Sequence, residues 1–367
     1  MSRFSPYLGI VAALALGIFI SVFSGSTTVS RIPIIIPIAS PTTPEVVVAS
    51  TKSVGATTSV QTHSSVSKKI PASSTPAAVA VTPPTAESIA ALNAALDTSA
   101  LILRSALVNI ICYAPARSGI HSISGSGVII DPKGIILTNA HVAQYFLLAD
   151  RDVSCTIRSG SPATDSYNAA LAYISPAWLK ANPTVLTKTT PSGTGEYDFA
   201  FLAITKSATD SKLPSIFPYM TLSTTPPKDT PVVIASYGSQ FLEASQITNG
   251  LFPTIVFGSV KDVLTFGTNT IDVLALGGSA AAQEGSSGGG VADVFRNLVG
   301  TITTSTITGT TDTRSLDAIT ASYIRGEYAS ETGQALDLLL AESPATAVAD
   351  FAPRISELES IITANLP

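Results

Sequence analysis

The sequence predicts an all-β central region flanked by helical segments. Across this region, short runs rich in Val, Ile and Thr are separated by Gly, Pro and Asp, a pattern typical of many short strands in a barrel or a sandwich. Outside it, apolar residues recur at the spacing of a helix face, as with Ile89, Leu92 and Leu96. We expect strands at 108–113, 127–130, 135–138, 153–157, 199–205, 232–236, 271–274 and 298–303.

The N-terminal part of the chain predicts a location outside the cytoplasm. Residues 6–23 carry no charged side chain and, at about 1.5 Å per residue, nearly cross a hydrocarbon core. We expect a transmembrane anchor or a signal peptide at 1–24, and the length of the apolar run favours the anchor. If the segment is cleaved instead, the protein is secreted.

Composition argues against nucleic acid as a partner and divides the chain into segments of different character. The 367 residues are 45% hydrophobic and 12% charged, with a formal net charge of -5 and no basic cluster, so nucleic acid is not an expected partner. The Ser/Thr/Pro-rich stretch 25–84 predicts a loosely ordered stalk. A lead-in helix is expected at 85–104 and a helical tail at 311–367.

The chain has two cysteines, Cys112 and Cys155, and both lie in predicted strands. In an oxidising compartment they are expected to form a disulfide, with two buried free thiols as the open alternative. Their spacing does not form a C-x-x-C motif, and there are three histidines and no H-E-x-x-H, so neither a metal nor a cofactor is expected.

Three separated motifs predict nucleophilic chemistry. Ser287 stands among glycines in the stretch Gln-Glu-Gly-Ser-Ser-Gly-Gly-Gly at 283–290. A serine hydroxyl is a weak nucleophile, so it needs a base and an orienting carboxylate elsewhere in the chain. His141 is the next-to-last residue of the run 125–142 (Gly-Ser-Gly-Val-Ile-Ile-Asp through Thr-Asn-Ala-His-Val), and Asp198 precedes the apolar run 199–202.

Together these motifs, in the order His141, Asp198, Ser287, resemble the trypsin-like serine peptidases, closest to the bacterial HtrA (Deg) group. The resemblance covers roughly the middle half of the chain. It implies a peptidase domain at 105–310 built from two six-stranded β-barrels, with catalytic groups from both sides of the cleft. The tail at 311–367 is shorter than a PDZ domain of about 90 residues, so no PDZ domain is expected.

The resemblance also implies a role for each motif residue. Ser287 would be the nucleophile, His141 the general base, and Asp198 the carboxylate that orients the imidazole. Backbone N–H groups of Gly285 and Ser287 would form the oxyanion hole. Glycine at 285 suits a backbone conformation that is costly for residues with a Cβ.

Substrate preference follows from the same resemblance. Ala281, six residues before Ser287, would form the base of a small apolar pocket, with Thr303 and Thr304 at its rim. Ser286 stands where animal digestive enzymes have an Asp that pairs with a new N-terminus, so that ion pair is not available. The surplus residues at about 159–195 are expected to form a flap or rim.

The expected function is therefore a serine endopeptidase that acts through an acyl-enzyme on exposed or misfolded polypeptides outside the cytoplasm. The N-terminal segment would hold it at the membrane, and the sequence does not determine whether it forms a homo-oligomer. Two alternatives stay open at this stage. One is a catalytically silent peptidase fold used as a binding or chaperone module, and the other is a self-processing protease that cuts its own stalk.

Overall fold

The computed structural model describes residues 84–116, 118–188, 193–267, 269–305, 308–364 and 366. The predicted anchor at 1–24 and all but the last residue of the predicted stalk at 25–84 lie outside these residues.

The first six described strands close into an antiparallel barrel. They are β1 (Leu107–Tyr113), β2 (Ile123–Ile129), β3 (Ile135–Thr138), β4 (Ser154–Gly160), β5 (Ala163–Ile174) and β6 (Ala200–Ser207). The order around the barrel is β1-β2-β3-β6-β5-β4. Its interior is filled by the Val, Ile and Leu runs that predicted strands, including the fully buried Ile110, Ile135 and Leu137.

Eight further strands form a second sheet. They are β7 (Thr221–Leu222), β8 (Pro231–Ser236), β9 (Thr254–Ser259), β10 (Asp262–Leu264), β11 (Val273–Ala275), β12 (Gly290–Ala292), β13 (Asn297–Ser305) and β14 (Leu316–Thr320). The order is β10-β11-β14-β13-β12-β8-β9, with β7 beside β13. The predicted all-β fold with two halves is confirmed. The second half is an open sheet of eight strands, where a barrel of six strands was expected.

Helices flank both halves. They are α1 (Ala86–Ala106), α2 (Ala140–Ala143), α3 (Pro176–Ala181), α4 (Ala244–Asn249), α5 (Ala321–Thr332), α6 (Leu336–Ala341), α7 (Pro344–Phe351) and α8 (Ile355–Thr363). The lead-in helix α1 begins where the Thr85 hydroxyl accepts the Ser88 N–H at 3.2 Å, a typical N-cap.

The helix α1 also has a membrane-compatible composition. In the part of the chain that the structure describes, it is the one helix long and apolar enough to span a bilayer, judged by length and composition alone. Its C-terminal half buries Leu96, Ala100 and Leu103, and the helix packs against β8 and β12. These contacts are those of a helix that covers the second sheet.

The sheet continues past the predicted end of the peptidase domain at 310. Strand β14 lies within the predicted tail and pairs with both β11 and β13. Four of its five residues are buried, so it completes the core of the second half. The helices α5 to α8 follow, and α7 packs on β5 and β6 while α8 packs on α3. The domain division itself stays a prediction.

The first half of the predicted flap or rim at 159–195 is not a flap. It consists of the end of β4 and all of β5, and β5 pairs with β4 on one side and β6 on the other within the closed barrel. A strand with neighbours on both sides cannot swing over a cleft. The short helix α3 follows and buries Trp178.

Strand register brings distant motif residues together. Strands β3 and β6 are antiparallel with Thr138 opposite Ala200, so the end of β3 and the start of β6 lie at one end of the barrel. On the neighbouring pair β1 and β4, Cys112 lies opposite Cys155, and a disulfide joins them.

Candidate active site

His141 and Asp198 form a two-point contact at the end of the first barrel. His141 lies in α2, directly after β3, and Asp198 precedes β6. The Asp198 Oδ1 atom accepts the backbone N–H of His141 at 2.9 Å, and Oδ2 lies 2.7 Å from His141 Nδ1. Because a carboxylate only accepts hydrogen bonds, Nδ1 carries a proton, which in the neutral imidazole leaves Nε2 as an acceptor.

Thr303 contributes a third hydrogen bond to the same carboxylate. Its Oγ1 donates to Asp198 Oδ2 at 2.9 Å, and both side chains are about 95% buried. We expected Thr303 at a pocket rim, and the structure shows its hydroxyl directed to Asp198. The ladder between β13 and β14 shifts register between Ile302 and Thr304, and a bulge of this kind re-aims the side chain within it.

The backbone before Asp198 is strained. Tyr197 has a φ of +58°, in the left-handed region that is costly for a residue with a Cβ. Its N–H donates to the hydroxyl of Tyr323, a residue of α5, at 3.0 Å. Burial raises the pKa of Tyr323, so this hydroxyl stays protonated. On the other side, Asn139 Nδ2 donates to the Asp198 carbonyl at 2.8 Å. Asp198 is therefore fixed through its main chain as well as its carboxylate.

Trp178 packs beside the His141 ring. It was not among the site residues predicted from the sequence. The two ring centroids are 6.5 Å apart with an interplanar angle of 43°. Helix α3, which carries Trp178, is held by Glu331 of α5, whose carboxylate accepts the Ser175 hydroxyl at 2.9 Å and the Ala177 N–H at 3.1 Å. The only signal in the sequence is that Trp178 is the single tryptophan of the chain.

Ser287 lies on a tight turn that leads into β12. Gly285 has a φ of +87° and Gly288 a φ of +84°, both in the region that favours glycine. A Cβ on Gly285 would lie 2.5 Å from Ser239 Oγ and 2.7 Å from the Tyr237 carbonyl oxygen. The turn therefore requires glycine at 285 for both conformation and space.

We call residues 285–289 the oxyanion turn. Three of its N–H groups are bonded, those of Ser286, Gly288 and Gly289, to the carbonyls of Gln283, Ile302 and Ser286. The N–H groups of Gly285 and Ser287 donate to no acceptor among the residues that the structure describes. The sequence predicted these same two N–H groups as the donors of the oxyanion hole.

Ser287 is partly exposed. Within the described ranges, no hydrogen bond joins Ser287 Oγ to His141 or to any other residue. Such contacts are commonly long in ligand-free enzymes and tighten when substrate binds.

The residue expected at the pocket base is buried. Ala281 and Ala282 are fully buried in the apolar core of the second sheet. The Ala282 carbonyl accepts Arg314 Nη1 at 2.8 Å, and the same guanidinium donates to Gln240 Oε1 at 2.6 Å and to the Gly309 carbonyl at 3.1 Å. Arg314 thus joins three loops next to Ala281, which the sequence did not indicate. The Thr304 side chain lies outside the described part of the structure.

Metal ligands do not gather at this site or elsewhere in the described residues, which contain no cluster of three or more His, Cys, Asp and Glu side chains suited to a metal ion. The site brings together a hydroxyl, an imidazole, a carboxylate and two backbone donors, groups that suit acyl transfer.

One family model and several solved structures are similar to this chain. Residues 125–300 match the family model of the trypsin-like peptidase domain. Crystal structures of the Rv3671c protease align at low similarity. The active form, from M. tuberculosis, has 19% identity and a TM-score of 0.39 over 72% of this chain and 95% of that one. The inactive form has 18% identity and a TM-score of 0.41 over 65% and 96%. No curated protein matches the chain.

Fold and family match define the class of the protein as a serine-type endopeptidase. More particularly, residues 125–300 form a trypsin-like peptidase domain, as predicted from the three motifs. Polypeptides are accordingly its substrate class.

Proposed function

We propose that this endopeptidase cleaves peptide bonds with a His141–Asp198–Ser287 triad through an acyl-enzyme. Ser287 Oγ attacks the scissile carbonyl carbon while its proton passes to His141 Nε2. The imidazolium then gives that proton to the leaving amine as the C–N bond breaks, which leaves the acyl group on Ser287. Water, deprotonated by His141, hydrolyses this ester and frees the serine.

The observation that carries the proposal is the two-point contact between Asp198 and His141. A carboxylate bonded to both the N–H and Nδ1 of one histidine holds a single tautomer and stabilises the imidazolium that forms. The unpaired N–H groups of Gly285 and Ser287 support it, because donors that need no rearrangement stabilise the developing oxyanion.

We further propose that the enzyme works outside the cytoplasm, held at the membrane by its N-terminal segment, on exposed or misfolded polypeptide segments. The Cys112–Cys155 disulfide supports this location, since such bonds persist in oxidising compartments. In intact cells, a protease added outside should degrade the peptidase domain, and protection of that domain would refute the location.

The test of the triad is labelling of the detergent-solubilised full chain with a serine-reactive fluorophosphonate. Wild type and Ser245→Ala should label, whereas Ser287→Ala, His141→Ala and Asp198→Asn should lose most or all labelling. Ser245→Ala is the control because it removes the hydroxyl of an exposed serine in α4, outside the triad and the oxyanion turn. Labelling of Ser287→Ala, or no labelling of folded wild type in the presence of peptide, would overturn the proposal.

A further inference from the structure

We propose that Ser126 is a positioning residue for the oxyanion turn, and this inference rests on the proposed function. Ser126 lies in β2 of the first barrel and is fully buried. Its Oγ–H donates to the Gly285 carbonyl at 2.8 Å. Its backbone N–H donates to the Ser287 carbonyl, also at 2.8 Å. One residue thus binds the carbonyl of each residue whose N–H is left free.

The two Ser126 bonds hold the peptide units that follow directly after those that carry the free N–H groups. A peptide unit is planar and trans, so a bonded carbonyl fixes the N–H on its opposite side. The peptide that carries the Gly285 N–H is held by the Ser239 N–H, which donates to the Glu284 carbonyl at 2.8 Å. The next peptide is held by Ser126 Oγ. With both peptides held, φ and ψ of Gly285 cannot change without loss of a buried hydrogen bond.

The direction of the Ser126 hydroxyl is itself determined. Its oxygen accepts the Tyr237 N–H at 2.8 Å, and Tyr237 is 1% exposed. A hydroxyl has one proton, and the nearest bonded acceptor for it is the Gly285 carbonyl. Removal of the hydroxyl therefore leaves a donor and an acceptor unpaired beside the turn.

The contact crosses between the two halves of the fold. A Cβ on Gly288 would lie 2.0 Å from the Ser126 carbonyl oxygen, so the turn packs directly on β2. From the second sheet, Ser236 Oγ donates to Ser286 Oγ at 3.0 Å. Ser286 stands where digestive enzymes carry an ionised Asp, so here the turn is held by neutral hydroxyls.

The test compares Ser126→Ala with Ser99→Ala in the full chain. Ser99 is a matched control because it is also fully buried and donates its hydroxyl to a backbone carbonyl, that of Asp293, at 2.7 Å. We expect Ser126→Ala to lower kcat about tenfold with KM within twofold, less than the roughly 100-fold loss that follows removal of an oxyanion donor itself. Ser99→Ala should keep kcat within twofold.

A second readout separates positioning from general destabilisation. A peptidyl boronate forms a tetrahedral adduct whose oxygen occupies the oxyanion site, whereas a product peptide does not. Ser126→Ala should weaken the boronate about tenfold and leave product binding unchanged. Equal effects on both ligands, or a kcat no lower than that of Ser99→Ala, would overturn the inference.

If Ser126→Ala does not fold, Ser126→Cys retains a weaker donor and should give an intermediate kcat. Wild-type kcat in Ser126→Cys would refute the role of the hydroxyl. The two proposals fail differently. Unlabelled wild type refutes the triad, whereas an active wild type with unchanged Ser126 variants refutes only this inference.

Discussion

Replacement of Thr303 by Val tests whether its hydroxyl supports catalysis through Asp198. Valine keeps the branched shape and removes only the Oγ1–H, which donates to Asp198 Oδ2 at 2.9 Å. The carboxylate of Asp198 keeps its two contacts with His141, and its main chain keeps those with Asn139 and Gly195. The carboxylate should therefore stay in place with one fewer donor.

The magnitude follows from the charge on the acceptor. A hydrogen bond to a charged group is worth about 1.5–3 kcal/mol, and about 1.4 kcal/mol corresponds to a factor of ten in rate. In the proposed mechanism Asp198 acts mainly when the imidazolium forms, so most of the lost hydrogen-bond energy should raise the free energy of the transition state. We expect kcat/KM to fall between about 10-fold and 100-fold, with the loss in kcat.

Thr303→Ser and Thr301→Val are the matched controls. Serine keeps the hydroxyl and loses the methyl that lies against Gly195. Thr301, on the same strand, donates to the neutral carbonyl of Gly289 at 3.0 Å. In a fluorogenic peptide assay, kcat/KM of both variants should fall by less than about fivefold. Thr303→Ser keeps the bond to Asp198, and the bond that Thr301→Val removes has a neutral acceptor and contributes about 1 kcal/mol. A Thr303→Val enzyme within twofold of wild type would refute the reasoning.

Three further predictions follow from the same structure. Gly285→Ala should lower the rate of fluorophosphonate labelling at least 100-fold. The new Cβ would lie 2.7 Å from the Tyr237 carbonyl oxygen, and a φ of +87° disfavours alanine. Labelling near the wild-type rate would contradict this prediction. Replacement of Cys112 and Cys155 by Ser should lower the free energy of unfolding by about 2–4 kcal/mol in urea titrations, since the bond closes a loop of sequence separation 43, and an unchanged midpoint would argue against the bond. Burial raises the pKa of Glu327 above its ordinary 4.5, and the charges of Glu331, Asp272 and Glu196 raise it further. The folded state therefore binds the proton more tightly than the unfolded state does. As a result, the free energy of unfolding falls as the pH rises from 4.5 through the folded pKa. Glu327→Gln should therefore melt at a higher temperature than wild type at pH 7, with the difference vanishing below pH 4; a lower Tm at pH 7 would refute it.

The sequence indicated elements whose signal is local. Strands such as 135–138 and 232–236 are buried on both faces, so a continuous run of Val, Ile and Leu predicted them. Strand β5 was missed because its first half, Ala-Thr-Asp-Ser-Tyr-Asn, is polar and partly exposed and becomes a strand only through its pairing with β4 and β6. Strand β14 was missed because its five residues follow a stretch with no strand signal and are held by long-range pairing.

In the candidate site, too, some residues left a local signal in the sequence and others did not. Its motif residues His141, Asp198 and Ser287 were named from short runs of neighbouring residues, because a nucleophile, a base and their tight turns leave local patterns. The sequence by itself also determined the class of the domain. The partners of those residues were decided by the tertiary structure: Thr303 reaches Asp198 across 105 positions of sequence, and Ser126 reaches Gly285 across 159. A buried hydroxyl gains a specific role only when strand register and a bulge set it against one acceptor, and neither leaves a pattern along the chain.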